Sequence, residues 1–179
     1  SNVLAALTFN SVVSGPGWTK AGTGVLALGN ANNTFTGGLS ISGGVVAVGA
    51  DGAFGNVANE VTLNGTGATV RATSGFSSSR TMNLLSAAAA NNIIEVVGGQ
   101  TLTFNGTLNS VGGLLKQDNG TLVISSANSL MSGTVQINAG VLRITNSLSL
   151  GGAQVSIQPG SASAGAALPL AHGVIFPNS

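Results

Sequence analysis

The sequence is poor in charged residues and contains no cysteine. Charged residues make up 5% of the 179 positions, against about 25% in an ordinary soluble domain. Amphipathic helices need Glu, Lys, Gln and Arg on their wet faces, so this scarcity argues against a helical protein. Without cysteine the chain has no disulfide framework and no thiolate metal site. We expect neither a bound metal nor a cofactor.

The few charges also exclude whole classes of partner. The net charge is +1 and the five cations are scattered along the chain, whereas nucleic-acid binding needs clustered Lys and Arg. No apolar run approaches the roughly 18 residues that a membrane-spanning helix requires. The N-terminus lacks the basic region of a signal peptide, so we expect a mature chain or a fragment of an exported protein.

Short alternating apolar runs are abundant, and glycine or Asn-Gly pairs separate them. Alternation of Val, Leu and Ile with Ser, Thr and Asn predicts strands with one buried face. The chain is therefore expected to be all-β. The predicted strands cover 25–28, 39–42, 45–48, 61–63, 69–71, 82–84, 93–97, 102–104, 122–124, 135–137, 141–144 and 155–157.

An internal repeat selects among the all-β architectures. When Lys20 is aligned with Lys116, strand and glycine positions coincide over about thirty residues, for example Leu26 with Leu122. Within each copy the strand positions recur at intervals of roughly twenty residues, the length of one solenoid rung. We predict a single parallel β-solenoid, domain or fragment, over 1–179 with roughly nine rungs. An antiparallel sandwich with an accidental repeat is the alternative.

Segments 18–49 and 115–144 share a motif that runs Lys-x-Gly-x-Gly-x-Leu-x-Leu, then an Asn-Thr-Phe-Thr-Gly loop, then a Gly-Val-Val-Ala-Val strand in the first copy. The motif resembles the passenger-associated transport repeat, also called the autotransporter-associated β-strand repeat. In the second copy Asp118 replaces the first loop glycine and Met131 replaces the loop aromatic. The residues that carry the motif are Trp18, Lys20, Gly22, Gly24, Leu26, Leu28, Phe35, Gly37, Gly44, Lys116, Gly120, Leu122, Gly133 and Gly140.

The resemblance implies a right-handed parallel β-helix in the passenger region of a type V autotransporter. Such a region is exported across the outer membrane to the bacterial cell surface, where the repeat supports secretion and folding. The resemblance also suggests a contribution to adhesion or self-association. The partners expected are other copies, end to end or side by side, and host or neighbouring-cell surfaces.

Two other functions stay open. A self-assembling extracellular filament or sheath subunit is favoured by the near absence of charge, because unguarded strand edges pair with one another. A glycan-active β-helix enzyme would require Asp51, Glu60 and Arg71 to cluster in one groove. We expect no enzyme.

Several single residues have a structural interpretation. His172, the only histidine, lacks the patterned neighbours of a catalytic triad, and segment 166–179 fits no part of the repeat. Asp118 and Lys116 are interpreted as a local surface pair of little energetic value. Trp18 is expected to pack on the rung edge or cap the core rather than stack on a sugar.

Overall fold

The computed structural model describes residues 6–128 and 130–157, which form a parallel β-solenoid. His172 and segment 166–179 lie outside the described residues. Every strand pair is parallel, and each strand pairs with the equivalent strand of the next turn. The strands are β1 Ala6–Phe9, β2 Trp18–Lys20, β3 Val25–Leu28, β4 Leu39–Val48, β5 Val61–Ala72, β6 Phe76–Ser78, β7 Met82–Leu84, β8 Asn92–Val96, β9 Thr101–Phe104, β10 Leu108–Ser110, β11 Gly113–Gln117, β12 Thr121–Ile124, β13 Thr134–Ile137, β14 Val141–Ile144 and β15 Gln154–Ile157.

The strands stack into three faces, which the chain visits in the order face 1, face 2, face 3. Face 1 contains β1, β3, the second half of β4, the second half of β5, β8, β11, β13 and β15. Face 2 contains β6, β9, β12 and β14. Face 3 contains β2, the first half of β4, the first half of β5, β7 and β10. Since β4 and β5 each run through a corner, they join faces 3 and 1 into one sheet.

The core is a set of apolar columns that run along the solenoid. On face 1, Leu26, Val46 and Val70 occupy successive turns in one column, each directly above the last, and all are buried. The period of two in each strand places every second side chain inside. Stacking like residues on like buries apolar surface continuously, and burial contributes roughly 25 cal/mol per Å².

The prediction of a parallel β-solenoid is confirmed. The described residues make about seven turns, whereas roughly nine were predicted for the whole of 1–179. Some turns are also longer than the uniform twenty-residue spacing on which that count was based, for example those from Val45 to its register partner Thr69 and from Thr69 to Ile93. The segment between β7 and β8, which contains a short 3₁₀ turn at Ala89–Asn91, is one such extended corner.

Helical structure within the described ranges is limited to short 3₁₀ turns. None of these helices has the length and apolar character needed to cross a membrane.

Candidate functional site: the lysine corners of the repeats

The lysine of the first repeat closes the corner between faces 3 and 1. Lys20 is the last residue of β2, and its Nζ donates hydrogen bonds to the carbonyl oxygens of Ala21 at 2.9 Å, Gly22 at 2.8 Å and Gly43 at 3.1 Å. An ammonium group has three donors and no acceptor, so it suits three carbonyls that converge where the ladder is interrupted. Burial lowers the pKa of Lys20.

Lys116 repeats this arrangement in the second copy. Its Nζ donates to the carbonyl oxygens of Gln117 at 2.7 Å, Asp118 at 2.6 Å and Ala139 at 3.2 Å. The acceptors stand one, two and 23 residues after the lysine, as they do for Lys20. The repeated motif therefore builds a repeated corner, in which one ammonium group links two turns.

The prediction that Lys116 and Asp118 form a surface pair is wrong. The Lys116 side chain is fully buried in the inward column that also contains Ile94 and Ile137, and its partner at residue 118 is the backbone carbonyl. Burial lowers the pKa of Lys116 to about 8, and the carboxylates of Asp118 and Glu95 act in the opposite direction. The lysine looked exposed in the sequence because its neighbours Gln117 and Asp118 are polar.

The corners need left-handed backbone at two matched places. Gly44 and Gly140 have φ of 69° and 70°, and a Cβ at either would collide with carbonyl oxygens of the preceding turn. Gly22 has φ of 71°, and its counterpart Asp118 has φ of 64° as the one non-glycine residue with positive φ in the described ranges. Aspartate is among the few side chains that tolerate this conformation. The departure from the motif at Asp118 therefore preserves the backbone.

Two buried asparagines bridge adjacent turns in the loops that follow β3 and β12. Asn33 accepts a hydrogen bond from the Val13 N–H at 2.8 Å and donates to the Ala53 carbonyl at 2.8 Å. Asn128 accepts from the Leu108 N–H at 2.7 Å and donates to the Ser149 carbonyl at 2.7 Å. The sequence alignment pairs Asn128 with Asn32, so the structural match is displaced by one residue within the loop.

The remaining motif residues lie in the core or at the turns. Leu26, Leu28, Phe35 and Leu122 are buried. Trp18 is half-buried at the first position of an inward column on face 3, and its ring meets Phe35 edge-on with the centroids 5.5 Å apart. Gly37 and Gly133 have φ of 87° and 82° at corresponding corners. Gly24 directly precedes β3, and Gly120 directly precedes β12. The N–H of Gly120 donates a hydrogen bond to the Val96 carbonyl at 2.8 Å.

The two repeats do not stand on the same faces. In the first copy Lys20 lies on face 3 and Leu26 on face 1. In the second copy Lys116 lies on face 1 and Leu122 on face 2. The second motif is therefore displaced by one face. The same arrangement of lysine and carbonyls forms the corner between faces 3 and 1 in the first copy and the corner between faces 1 and 2 in the second.

The acids and arginines considered for glycan chemistry have separate partners. Arg71 pairs with Glu95 at 2.5 Å, and Asn83 donates to Glu60 at 2.8 Å. Arg80 Nε donates to Asp51 Oδ1 at 2.9 Å. None of the three predicted residues, Asp51, Glu60 and Arg71, hydrogen bonds another of them.

Arg80 is a structural centre that the sequence did not reveal. Its side chain is 3% exposed, and besides Asp51 it binds the carbonyls of Asn56 at 2.5 Å and Gly55 at 2.9 Å. Its guanidinium lies 5.9 Å from the centroid of the Phe54 ring. An isolated arginine between a serine run and a strand carries no signal of burial. Among the described residues no three His, Cys, Asp or Glu side chains are close enough to hold a metal ion.

Comparison with known proteins agrees with the repeat architecture. The family model of the passenger-associated transport repeat matches residues 19–48 and 114–144. Over 175 residues the chain is 36% identical to the Adhesin BmaC autotransporter of Brucella suis biovar 1 (strain 1330), an alignment that covers 92% of this chain. The chain spans 5% of that protein's length. No solved structure matches the chain significantly.

The family match falls on the two lysine corners, and the similarity to the adhesin extends over nearly all of the solenoid. The chain is therefore a β-helical segment of an autotransporter passenger domain with passenger-associated transport repeats, and such passengers are exported to the cell surface.

Proposed function

We propose that this segment is a non-enzymatic structural rod that supports secretion, folding and adhesion of a longer passenger. The observation that carries the proposal is the unbroken parallel ladder of face 1, which continues from β1 to β15. Each turn contacts only its neighbours, so stability grows turn by turn as in other repeat proteins. The acids and arginines described above are occupied by different structural partners, which favours a scaffold over a catalytic site.

Stacking also suggests how the segment assists export. A folded turn presents a strand edge on which the next emerging turn can pair, so folding can proceed sequentially along the chain. The lysine corners help in this process because each links the strand edge of one turn to a carbonyl of the next.

We further propose that the rod serves adhesion. The relative described above is named as an adhesin, and a stiff rod is suited to holding a binding region away from a cell. Since this chain spans 5% of that relative, the binding region that the rod would hold lies elsewhere in the longer passenger under this proposal.

A surface-display experiment tests the rod. We would express the chain ahead of an autotransporter translocator barrel in a Gram-negative host, as wild type and as the double variant Lys116→Met, Gly140→Val. The double variant should leave less protease-resistant passenger on the cell surface, because both parts of one corner are lost. Arg143→Ala, at an exposed position of β14, is the matched control. Equal surface levels of resistant passenger for wild type and double variant would refute the proposal.

End-to-end self-association is a second candidate function. Leu7 and Phe9 continue the inward columns of face 1, yet they are 55% and 41% exposed at the end of the described ladder. Charged residues make up 5% of the sequence, so few of them guard strand edges against pairing with another copy. Negative-stain electron microscopy over a range of concentrations should show fibres, and Leu7→Lys with Phe9→Lys should reduce them to short rods. Short rods for the wild type at all concentrations would exclude this function.

A further inference from the structure

A groove crosses the first three turns of the solenoid on face 3. Its volume is about 720 Å³, within the usual range of roughly 300–1,000 Å³ for small-molecule sites. The groove exists because an outward column lacks side chains at two successive levels. Gly17 and Gly38 occupy those levels, and Glu60 follows at the third, as the hydrogen bonds from Trp18 N to Gly38 O and from Leu39 N to Glu60 O show.

Hydroxyl groups line one side of this groove. Thr19, Ser40 and Thr62 are register partners in the adjacent outward column, and all three line the groove. Their hydroxyls can each donate and accept hydrogen bonds, and they repeat at the interval between strands of about 4.8 Å. The lining therefore presents a regular row of hydroxyls beside bare backbone.

Glu60 closes the groove with an oriented carboxylate. Asn83 donates to Glu60 Oε2 at 2.8 Å, and Asn109 donates to Asn83 Oδ1 at 2.9 Å. Because a carboxylate only accepts hydrogen bonds, it fixes the direction of both amides. The side-chain amides of Asn83 and Asn109 thus orient Glu60, which is exposed at the groove.

We propose that the groove between Trp18 and Glu60 binds a neutral oligosaccharide. Sugar hydroxyls can donate to the Glu60 carboxylate and exchange hydrogen bonds with the threonine and serine row. Hydrogen bonds to a charged acceptor are stronger than neutral ones, which makes Glu60 the main determinant of affinity. The site binds without cleaving, since it holds a single carboxylate where glycoside hydrolysis uses two. This inference does not depend on the rod function.

Saturation-transfer NMR tests the site with maltohexaose, cellohexaose and chitohexaose as separate probes, in the presence of EDTA. At least one probe should receive saturation from the wild-type chain. Glu60→Gln should weaken its binding about tenfold through loss of the charged acceptor, and Ser40→Trp should abolish it by filling the groove.

The matched control is Thr103→Trp, an outward position on face 2, which should bind like wild type. Circular dichroism must show that each variant is folded. Absence of transfer to all three probes, or equal binding by wild type and a folded Ser40→Trp variant, would overturn the proposal. Binding of calcium alone, measured by calorimetry without EDTA and lost in Glu60→Gln, would instead assign the groove to a cation and also overturn it.

Discussion

At the scale of single residues, the lysine of the repeat is the most informative. A lysine next to glycines on a polar stretch suggests a solvated side chain, yet Lys116 is buried and its ammonium group is bound by three carbonyls. Its recurrence at equivalent places in both copies was visible in the sequence. Its burial was not, because the carbonyls that bind it become close to one another only after the corner has formed.

Replacing Lys116 with Met should destabilise the chain by about 1–3 kcal/mol at pH 7, since three carbonyls lose their donor. The pKa of Lys116 is about 8 when folded and about 10.5 when unfolded. Between these values the unfolded chain binds more protons, so the wild-type free energy of unfolding should rise with pH relative to the Met variant. Urea unfolding at several pH values measures this difference. A difference that stays constant from pH 7.5 to 10.5 would contradict the account.

The backbone at Asp118 gives a second prediction at this scale. Asp118→Gly should change the stability by less than about 0.5 kcal/mol, because glycine adopts positive φ without steric cost. Asp118→Val should destabilise by about 1–2 kcal/mol, because a β-branched residue is a poor fit to the left-handed region. Thermal unfolding of both variants distinguishes them. Equal melting temperatures for Gly and Val would mean that this conformation is not required.

At the scale of the element, asparagine side chains join turns where the strands are absent. Asn128 links a backbone N–H of the preceding turn to a carbonyl of the next. Asn128→Ala should cost about 2–3 kcal/mol, because both backbone groups are buried and lose their partner. Asn138→Ala, at a half-buried position of the following corner, should cost less than about 0.5 kcal/mol. Similar losses in urea unfolding for both variants would disprove the bridging role.

The loop that precedes β5 depends on Arg80 from the next turn. Arg80→Ala should destabilise the chain by about 3 kcal/mol, since Asp51 and several buried carbonyls lose their donor together. Arg143→Ala should have almost no effect because that side chain is exposed. Hydrogen exchange should localise the damage of the first variant to the corner 51–59. Unchanged protection in this corner would argue against the stabilising role of Arg80.

The strand positions were predictable from the sequence because alternation and glycine spacing act locally. The boundary between strands was less predictable at 39–48, where two expected strands form the single strand β4. Gly43 and Gly44 were expected to separate two strands. Instead the backbone turns the corner there, and its pairing with β5 continues through a register shift. A double glycine permits a bend or a break, and only the neighbouring turn decides which one forms.

At the scale of the whole molecule, the motif that recurs at an offset of 96 residues (116 − 20) predicted the stacked architecture correctly, but the face on which its second copy lies was unexpected. An offset in sequence does not indicate which face a motif will occupy, since that depends on the summed lengths of all intervening corners. Ser110 is the residue in register with Lys20 four turns later, so those turns take 90 residues (110 − 20). Lys116 lies six residues further along the chain, which places the second motif on the next face. Face assignment therefore required the structure.

Distances between spin labels test whether the turns form a parallel stack. The chain contains no cysteine, so the pairs Thr8→Cys with Gln117→Cys and Ala27→Cys with Gln117→Cys can be labelled cleanly. Thr8, Ala27 and Gln117 lie in one outward column of face 1. Five and four intervals of about 4.8 Å place the backbones about 24 and 19 Å apart. Pulsed electron–electron double resonance should give two narrow distance distributions whose means differ by about one interval between turns. Broad distributions, or equal distances for the two pairs, would contradict the solenoid.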